Sequence, residues 1–319
     1  MSFSFDTKNE LCKIPVQRGC CARAEAYGIL LYCNTFNATE VRIITENPNF
    51  AARLPKLFHK AFGLRFDRQP DAEQLKGEAG QAGKLVFQIL DEQKLARIIN
   101  LLGYDPKQHL VLHINCGILE DECCRASFLR GAFIAGGSST DPLKRYHLEL
   151  TTSHLQASRE LEVLLRECGY PPKSLSRNGS FITYFKQSDQ IEDFLTLIGA
   201  PVGAMKVMSA KLEKELNNRV NRRLNCDSAN VDKAVLAAQE QIESIRVLEQ
   251  AGVLEDLPEK LKQTAAMRME HPELPLTELA AEFDPPVTKS CLNHRLRKLT
   301  ELAKMQKKTE EEEKVYESL

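Results

Sequence analysis

The sequence predicts an α+β protein, in which a mixed helix–strand unit occurs twice and is followed by an all-α domain. Two observations support this fold class. Residues 1–203 pass twice through the order helix, strand, helix, strand, strand, helix, while the apolar residues after position 204 recur at helical spacing. A chain of 319 residues with 43% hydrophobic residues can form two or three domains with real cores.

The repeated unit is visible as two matching series of predicted elements. In the first unit, residues 1–115, helices are predicted at 22–34, 51–62 and 92–102 and strands at 41–45, 64–68 and 84–89. In the second unit, residues 116–203, helices are predicted at 125–136, 155–168 and 190–198 and strands at 147–152, 174–177 and 181–185. Such a repeat predicts a pseudo-two-fold arrangement whose halves bury a shared interface.

Small residues crowd the opening helix of each unit. Gly28 lies in the first helix and Gly131 in the second. Glycine costs about 1 kcal/mol in a helix interior, so its use in both helices needs a compensating reason. We expect the two helices to pack backbone against backbone.

The charge is balanced overall but segregated locally. The net charge of −1 excludes a uniformly basic protein, so any nucleic-acid surface must be local. Residues 287–308 contain seven Lys or Arg against one acid, Glu301. The acidic run Glu310–Glu313 falls in residues 309–319, which are expected to form a solvated tail.

Ten cysteines occur without a secretory segment and without an apolar run long enough to cross a membrane, which predicts a reduced, cytoplasmic protein. The pairs Cys20–Cys21 and Cys123–Cys124 suit neither a CxxC zinc site nor an easy disulfide. Free cysteines acting as small core residues are therefore predicted, and neither a metal ion nor a cofactor is expected.

The all-α region is predicted to comprise a linker helix at 204–230 and a domain at 231–308. Within that domain, residues 275–308 have a helix-turn-helix pattern. Asp284-Pro285-Pro286 ends the first helix, and Thr288 or Ser290 can cap the second. The apolar faces are expected from Leu276, Leu279, Ala280 and Phe283 in the first helix and from Leu292, Leu296 and Leu299 in the second.

This second helix can bury one side and present the other to a DNA major groove. Base edges are within reach of its start, where we expect contacts from Thr288, Lys289, Ser290, Asn293 and His294. Phosphate contacts are expected from Arg295, Arg297, Lys298 and Lys304. The basic, Asn-rich linker helix adds Arg219, Arg222 and Arg223 as candidate DNA-backbone contacts, with a solvated linker as the alternative.

The stretch Leu129-Arg-Gly-Ala-Phe-Ile-Ala-Gly-Gly137 resembles a LAGLIDADG helix of the homing endonucleases, and Ala26-Tyr-Gly-Ile-Leu-Leu-Tyr-Cys-Asn34 resembles a weaker copy. That resemblance implies a pseudo-two-fold αββαββα-type repeat. In active members each helix ends in a metal-binding acid, but the matching positions here are Cys33 and Gly136. Neither supplies the hard oxygen ligands of Mg²⁺, so the resemblance implies the fold without the nuclease.

Three segments in the right order extend the resemblance to nearly the whole chain: Cys123–Ser138, Asn221–Asn230 and Asp284–Lys298. Together they resemble the WhiA family of bacterial sporulation and cell-division regulators. The resemblance implies double-stranded promoter DNA of sporulation, division and chromosome-segregation genes as the partner, with other regulators or RNA polymerase as further partners. It also implies a nucleoid-associated location and no contact with a membrane.

Two other functions stay open at this stage. One is an endonuclease with displaced acids, for which Glu120, Asp121 or Asp141 would serve. The other is a protein-interaction scaffold that uses the former nuclease groove. Metal-dependent nicking of a plasmid distinguishes the first, and duplex-DNA affinity of residues 1–200 would argue against the second.

Overall fold

The computed structural model describes residues 2–71, 83–104 and 111–317, with side chains as far as residue 308. The chain divides into two compact units, Met1–Leu216 and Asn217–Leu319. Among the described residues, no helix is both long and apolar enough to cross a membrane.

The first repeat builds a three-stranded antiparallel sheet of order β1-β2-β3. Residues 64–68, which were predicted to be a strand, make only an isolated bridge from Arg68 to Gln88. The N-terminal helix was not predicted, because only Phe3, Thr7 and Leu11 of it are buried and the apolar spacing is weak. The elements are α1 (Phe3–Cys12), α2 (Gly19–Tyr32), β1 (Thr35–Phe36), β2 (Val41–Thr45), α3 (Pro48–Phe62), β3 (Leu85–Ile89) and α4 (Glu92–Leu101).

Local signals in the sequence set the bounds of α3. The Asn47 side chain accepts hydrogen bonds from the backbone N–H of Asn49 and Phe50, and Pro48 occupies the first turn, where its missing donor costs nothing. Gly63 ends the helix with φ of 70°, a left-handed conformation that glycine adopts without strain.

The second repeat builds a four-stranded antiparallel sheet of order β4-β5-β7-β6. Its last two strands form a hairpin through Asn178 and Gly179, both at positive φ, as tight hairpin turns require. The elements are α5 (Glu122–Gly136), β4 (Gly137–Ser139), β5 (Leu148–Thr152), α6 (Leu155–Glu167), β6 (Lys173–Arg177), β7 (Ser180–Phe185) and α7 (Ser188–Ile198). The three predicted helices and three predicted strands of this repeat are confirmed, and the short strand β4 is an element that was not predicted.

Helices α2 and α5 pack backbone against backbone, as expected. A Cβ atom added to Gly131 would lie 2.0 Å from the carbonyl oxygen of Glu25, and one added to Gly28 would lie 2.1 Å from that of Phe128. Only a hydrogen fits at either position. The two contacts are equivalent under the repeat, because Gly28 and Gly131 hold the same place in their helices.

A buried ion pair lies beside this helix crossing and was not predicted. Glu25 is 2% exposed and accepts from Arg53 through both carboxylate oxygens, at 2.6 and 2.8 Å. Arg130 of α5 lies 3.5 Å from the same carboxylate. A buried carboxylate needs such partners, because leaving it unpaired in the core would cost several kcal/mol.

The remaining elements are all helical: α8 (Pro201–Gln250), α9 (Glu259–Glu270), α10 (Leu276–Ala281) and α11 (Lys289–Glu317). The predicted linker helix at 204–230 and the helix after it are one continuous helix, α8, because no Gly or Pro interrupts residues 204–250. The division between the two compact units falls within α8.

The structure of residues 309–317 differs from the tail that was expected at 309–319. Helix α11 continues through the acidic run to Glu317, and residues 318–319 lie outside the described residues. Glu and Lys are good helix formers, so the run Glu310–Glu313 contains no signal that ends a helix.

The core of the second unit joins the end of α8 to the three helices that follow. Its buried apolar side chains include Ile245, Leu248, Leu261, Leu279 and Leu296. The buried Arg268 donates to the Gln241 side chain at 3.0 Å and to the carbonyl oxygen of Leu274 at 2.8 Å. It thereby ties the α9–α10 connection to α8.

The α2–α5 crossing predicts that a single methyl group at Gly131 destabilises the protein. Gly131→Ala must separate two backbones, and we expect a loss of unfolding free energy of about 1–3 kcal/mol or more. Gly19→Ala is the matched control, since a Cβ there meets nothing within 4 Å. Chemical denaturation followed by circular dichroism suits this chain, which has no tryptophan. Equal stability of the two variants would contradict the close crossing.

Candidate nucleic-acid interface

The turn between α10 and α11 is closed by backbone and side-chain hydrogen bonds. The Val287 N–H donates to the carbonyl oxygen of Ala280 at 3.0 Å. Thr288 then caps α11, because its Oγ1 accepts from the backbone N–H of Cys291 at 3.2 Å. Of the two candidate caps, Thr288 is the one that the structure uses, so its hydroxyl is already engaged in the fold.

Helix α11 has one buried side. Leu292, Leu296, Leu299 and Ala303 are all buried, which confirms the predicted leucine stripe. The predicted apolar residues of the first helix are buried as well, with Leu279 and Ala280 buried and Leu276 partly buried. Phe283 is also buried, but it lies beyond α10, which ends at Ala281, three residues before the predicted stop at Asp284. Burial of this stripe fixes the rotation of α11 about its own axis.

The opposite side of α11 is exposed and polar. At helical spacing, Ser290, His294, Arg297 and Glu301 lie across the helix axis from the leucines, and all four are exposed. Asn293 is exposed too, but it directly follows the buried Leu292 and so lies at the side of this face. Eight of the nine predicted contact residues are exposed: Thr288, Lys289, Ser290, Asn293, His294, Arg297, Lys298 and Lys304.

Three of the predicted phosphate contacts already have partners within the protein. Arg295 is half-buried, with its guanidinium 6.0 Å from the centre of the Phe283 ring. Arg297 pairs with Glu301 at 2.9 Å, and Lys304 pairs with Glu240 of α8 at 2.8 Å. Within the part of the chain that the structure describes, Lys289 and Lys298 have no ion-pair partner. Both lysines can therefore bind phosphate without first breaking an ion pair.

The three arginines predicted in the linker lie in the middle of α8. Arg219, Arg222 and Arg223 are all exposed. Arg223 is 4.0 Å from Asp227, one turn along the helix, in a solvated pair that contributes little stability. Their exposure is compatible with both of the alternatives considered for this segment.

The former metal positions lie at the C-terminal ends of α2 and α5, and neither can ligate a hard cation. The Cys33 thiol lies 3.2 Å from the Thr35 carbonyl oxygen, and burial raises the pKa of this thiol to about 12. A Cβ atom at Gly136 would lie 2.5 Å from the carbonyl oxygen of Thr151. The backbone at Gly136 therefore leaves no room even for the first carbon of an aspartate.

A cavity of about 680 Å³ lies beside these helix ends and includes residues of α1 in its wall. Lys8 lines it together with Asn34 and Ala135, and burial lowers the pKa of Lys8 to about 8. The cationic side chain of Lys8 and the carboxylate of Glu46 therefore both line this cavity. This cavity is also where the scaffold hypothesis would place a ligand.

Two of the three alternative acids lie far from the position of Gly136. Asp121 precedes α5 and Gly136 ends it, so they lie about 22 Å apart at 1.5 Å per residue. Glu120 is next to Asp121 and is equally far away. Asp141 accepts from the backbone N–H of Leu143 at 3.0 Å and stabilises a turn.

The cysteines differ from the sequence-based expectation. Among the residues that the structure describes, the one group that could hold a metal ion is formed by the four thiols of Cys20, Cys21, Cys123 and Cys124, whose sulfur atoms all lie within 4.8 Å of one another. Only Cys124 is buried, so they are not four small core residues. Each adjacent pair lies in the first turn of α2 or α5, and only the close crossing of these helices brings the pairs together.

The first unit consists of two LAGLIDADG-like repeats whose opening helices pack at glycines, and a helix-turn-helix domain follows it in the chain. These two features define the class of this protein. The family model for the WhiA LAGLIDADG-like domain matches residues 125–217, and that for the WhiA C-terminal HTH domain matches residues 220–303. The chain belongs to the WhiA family.

Curated relatives match it over nearly their whole length. The probable cell division protein WhiA of Ruminiclostridium cellulolyticum is 35% identical over 308 residues, covering 95% of this chain and 97% of the relative. That of Alkaliphilus metalliredigens is 33% identical over 315 residues, covering 95% and 98%. The crystal structure of full-length WhiA from Thermotoga maritima shares the fold, with a TM-score of 0.57 at 21% identity over 96% of this chain and 99% of that one.

The cap of α11 predicts a difference between two neighbouring hydroxyl residues. Thr288→Ala removes the acceptor for the Cys291 N–H and should cost about 1 kcal/mol of stability in the second unit. Thr288→Ser keeps the hydroxyl acceptor, so its stability should be close to that of the parent protein. Ser290→Ala is the control, because Ser290 is exposed and is not the cap. If Ser290→Ala is the more damaging change in thermal unfolding, the assignment of the cap is wrong.

Proposed function

We propose that this protein is a DNA-binding transcriptional regulator that reads duplex DNA through the N-terminal part of α11. The observation that carries the proposal is the rotation of α11. Its leucine stripe is buried against the domain core, and Ser290, His294 and Arg297 face outward near the capped end. A helix held in this way can enter a major groove with its first turns toward the bases.

The contacts have different roles in this proposal. Ser290, Asn293 and His294 approach base edges and determine sequence preference, since their side chains both donate and accept hydrogen bonds. Lys289 and Lys298 bind phosphate directly. Arg297 must first leave Glu301, and Lys304 must first leave Glu240, before either can bind a phosphate. Each therefore contributes less binding free energy than an unpaired lysine does. Arg219, Arg222 and Arg223 are further candidate contacts to the DNA backbone.

The names of the relatives support a proposal for the biological targets. The curated relatives are named probable cell division proteins. We therefore propose promoters of cell-division, sporulation and chromosome-segregation genes as the DNA partners, with the protein associated with the nucleoid. Contacts with RNA polymerase or with other regulators belong to the same proposal.

The LAGLIDADG-like unit has no catalytic role in this proposal. Metal-dependent phosphodiester cleavage needs carboxylates at the centre of the helix pair. At that place the chain has a thiol with a raised pKa at Cys33, a glycine without room for a side chain at Gly136, and the cation of Lys8 nearby.

Two variants separate base recognition from phosphate binding. Asn293→Ala should weaken binding to a preferred site, taken from a genome-wide map of bound DNA, by about 1–3 kcal/mol, or roughly 5- to 150-fold, and leave random DNA almost unaffected. Lys298→Ala should weaken binding to both DNAs by a similar factor. It should also make the slope of log K against log salt concentration shallower by about one, as expected for the loss of one phosphate contact. Fluorescence anisotropy at several salt concentrations measures both effects.

The outcomes of this comparison are distinguishable. If Asn293→Ala loses the same affinity for preferred and for random DNA, then Asn293 contacts phosphate or supports the fold. No loss from either variant on either DNA would overturn the proposed role of α11. Circular dichroism of each variant shows whether the domain remains folded.

The nuclease-like unit should be inactive toward DNA. Incubation of supercoiled plasmid with the full chain and Mg²⁺ or Mn²⁺ should give no nicking above background. Gly136→Asp should not create activity, because the new Cβ would meet the Thr151 backbone, and it should lower the melting temperature instead. Cleavage that is abolished by a chelator would contradict the proposal and restore the endonuclease hypothesis.

A further inference from the structure

We propose that Cys20, Cys21, Cys123 and Cys124 together bind one Zn²⁺ ion as a tetrathiolate site that joins the two repeats. The four sulfur atoms lie within 4.8 Å of one another. In a tetrahedral site with Zn–S bonds of about 2.3 Å, the sulfur atoms stand about 3.8 Å apart. Shifts of about an ångström or less therefore convert the observed cluster into a complete coordination shell.

The cluster is built by the fold and is not an accident of surface side chains. Cys20 and Cys21 lie in the first turn of α2, and Cys123 and Cys124 lie in the first turn of α5. The pairs hold equivalent places in the two repeats, and the close crossing of these helices at Gly28 and Gly131 holds them together. Each repeat contributes two of the four ligands that a structural zinc site requires.

Two features of the surroundings offset the negative charge that four bound thiolates carry. Two helix N-termini meet at the cluster, and their positive ends stabilise negative charge. Neither helix has a side-chain cap, because Arg18 and Asp121 at the N-cap positions make no capping hydrogen bond. The Arg18 guanidinium also donates to the Cys123 sulfur at 3.8 Å, which offsets part of the charge of a tetrathiolate.

The four sulfur atoms are close enough together to surround one metal ion. An iron–sulfur cluster distributes its cysteine thiolates over two or more iron atoms and so needs a wider set of ligands. Four thiolates around one centre fit Zn²⁺, which is soft enough for sulfur and carries no redox chemistry. Binding displaces the four thiol protons to solvent as four Zn–S bonds form, so that no oxidant or reductant is consumed.

The role of the ion is to fasten the N-terminal ends of α2 and α5. The adjacent pairs lack the spacing of a CxxC motif, yet the two helices together provide the ligand set of a closed structural site. The ion would stabilise the folded unit by its preferential binding to the folded state.

The test uses the full chain, purified under reducing conditions without added metal. Elemental analysis should find about one zinc per chain. The double variant Cys20→Ser/Cys123→Ser, which removes one ligand from each helix at the less buried positions, should lose at least nine-tenths of it. Cys116→Ser/Cys226→Ser is the matched control, because both of these cysteines are exposed and lie outside the cluster. The control should retain the zinc.

A second measurement needs no variant. Alkylation of the folded parent protein, followed by peptide mass analysis, should leave the four cluster cysteines unmodified while the exposed Cys116, Cys226 and Cys291 react. Adding a strong chelator should make Cys20 and Cys123 reactive, and replacement by Co²⁺ should give the absorption of a tetrahedral thiolate complex.

Three outcomes would overturn the proposal. One is a reduced parent protein that holds no zinc and takes up none when titrated with Zn²⁺ against a competing chelator. Another is retention of zinc by the folded double variant. The third is a cluster found as disulfides, or holding iron with inorganic sulfide. None of these outcomes bears on DNA binding by α11, so the two proposals can fail separately.

Discussion

The close crossing of α2 and α5 is the constraint on which the rest of the first unit depends. With a glycine from each helix at the contact, the backbones touch, and no larger residue fits. The crossing places equivalent parts of the two repeats side by side along the whole length of the helices. It also puts Glu25 in the core, where Arg53 and Arg130 must accompany it.

This crossing gives the two ends of the helix pair opposite chemical characters. At the C-terminal ends, Gly136 is pressed against backbone and Cys33 is held as a neutral thiol, so neither of the two positions that match the endonuclease acids supplies a hard ligand. At the N-terminal ends, four thiols meet where two helix dipoles favour negative charge. The two ends of the helix pair therefore differ: the C-terminal positions Cys33 and Gly136 offer no carboxylate, while the N-terminal ends bring four sulfur atoms together.

In the second unit, burial determines the orientation of a helix. The leucines of α11 fix which side of the helix faces outward, and Thr288 fixes where the helix begins. Arg268 ties the α9–α10 connection to α8 through hydrogen bonds to Gln241 and Leu274. The ion pairs of Arg297 and Lys304 show that an exposed basic residue on α11 is not automatically available to phosphate.

The sequence by itself determined the repeat, the small-residue helices, the helix-turn-helix and the missing metal-binding acids, because each depends on local spacing or on the residue at one position. It did not determine that α8 is continuous or that α11 extends to Glu317, since helix ends are weakly encoded where no Gly or Pro occurs. Only the tertiary structure decided which basic side chains pair with Glu25 and Glu240. It alone brought Cys20 and Cys21 to Cys123 and Cys124, because ligands that are a hundred residues apart meet only when two helices cross.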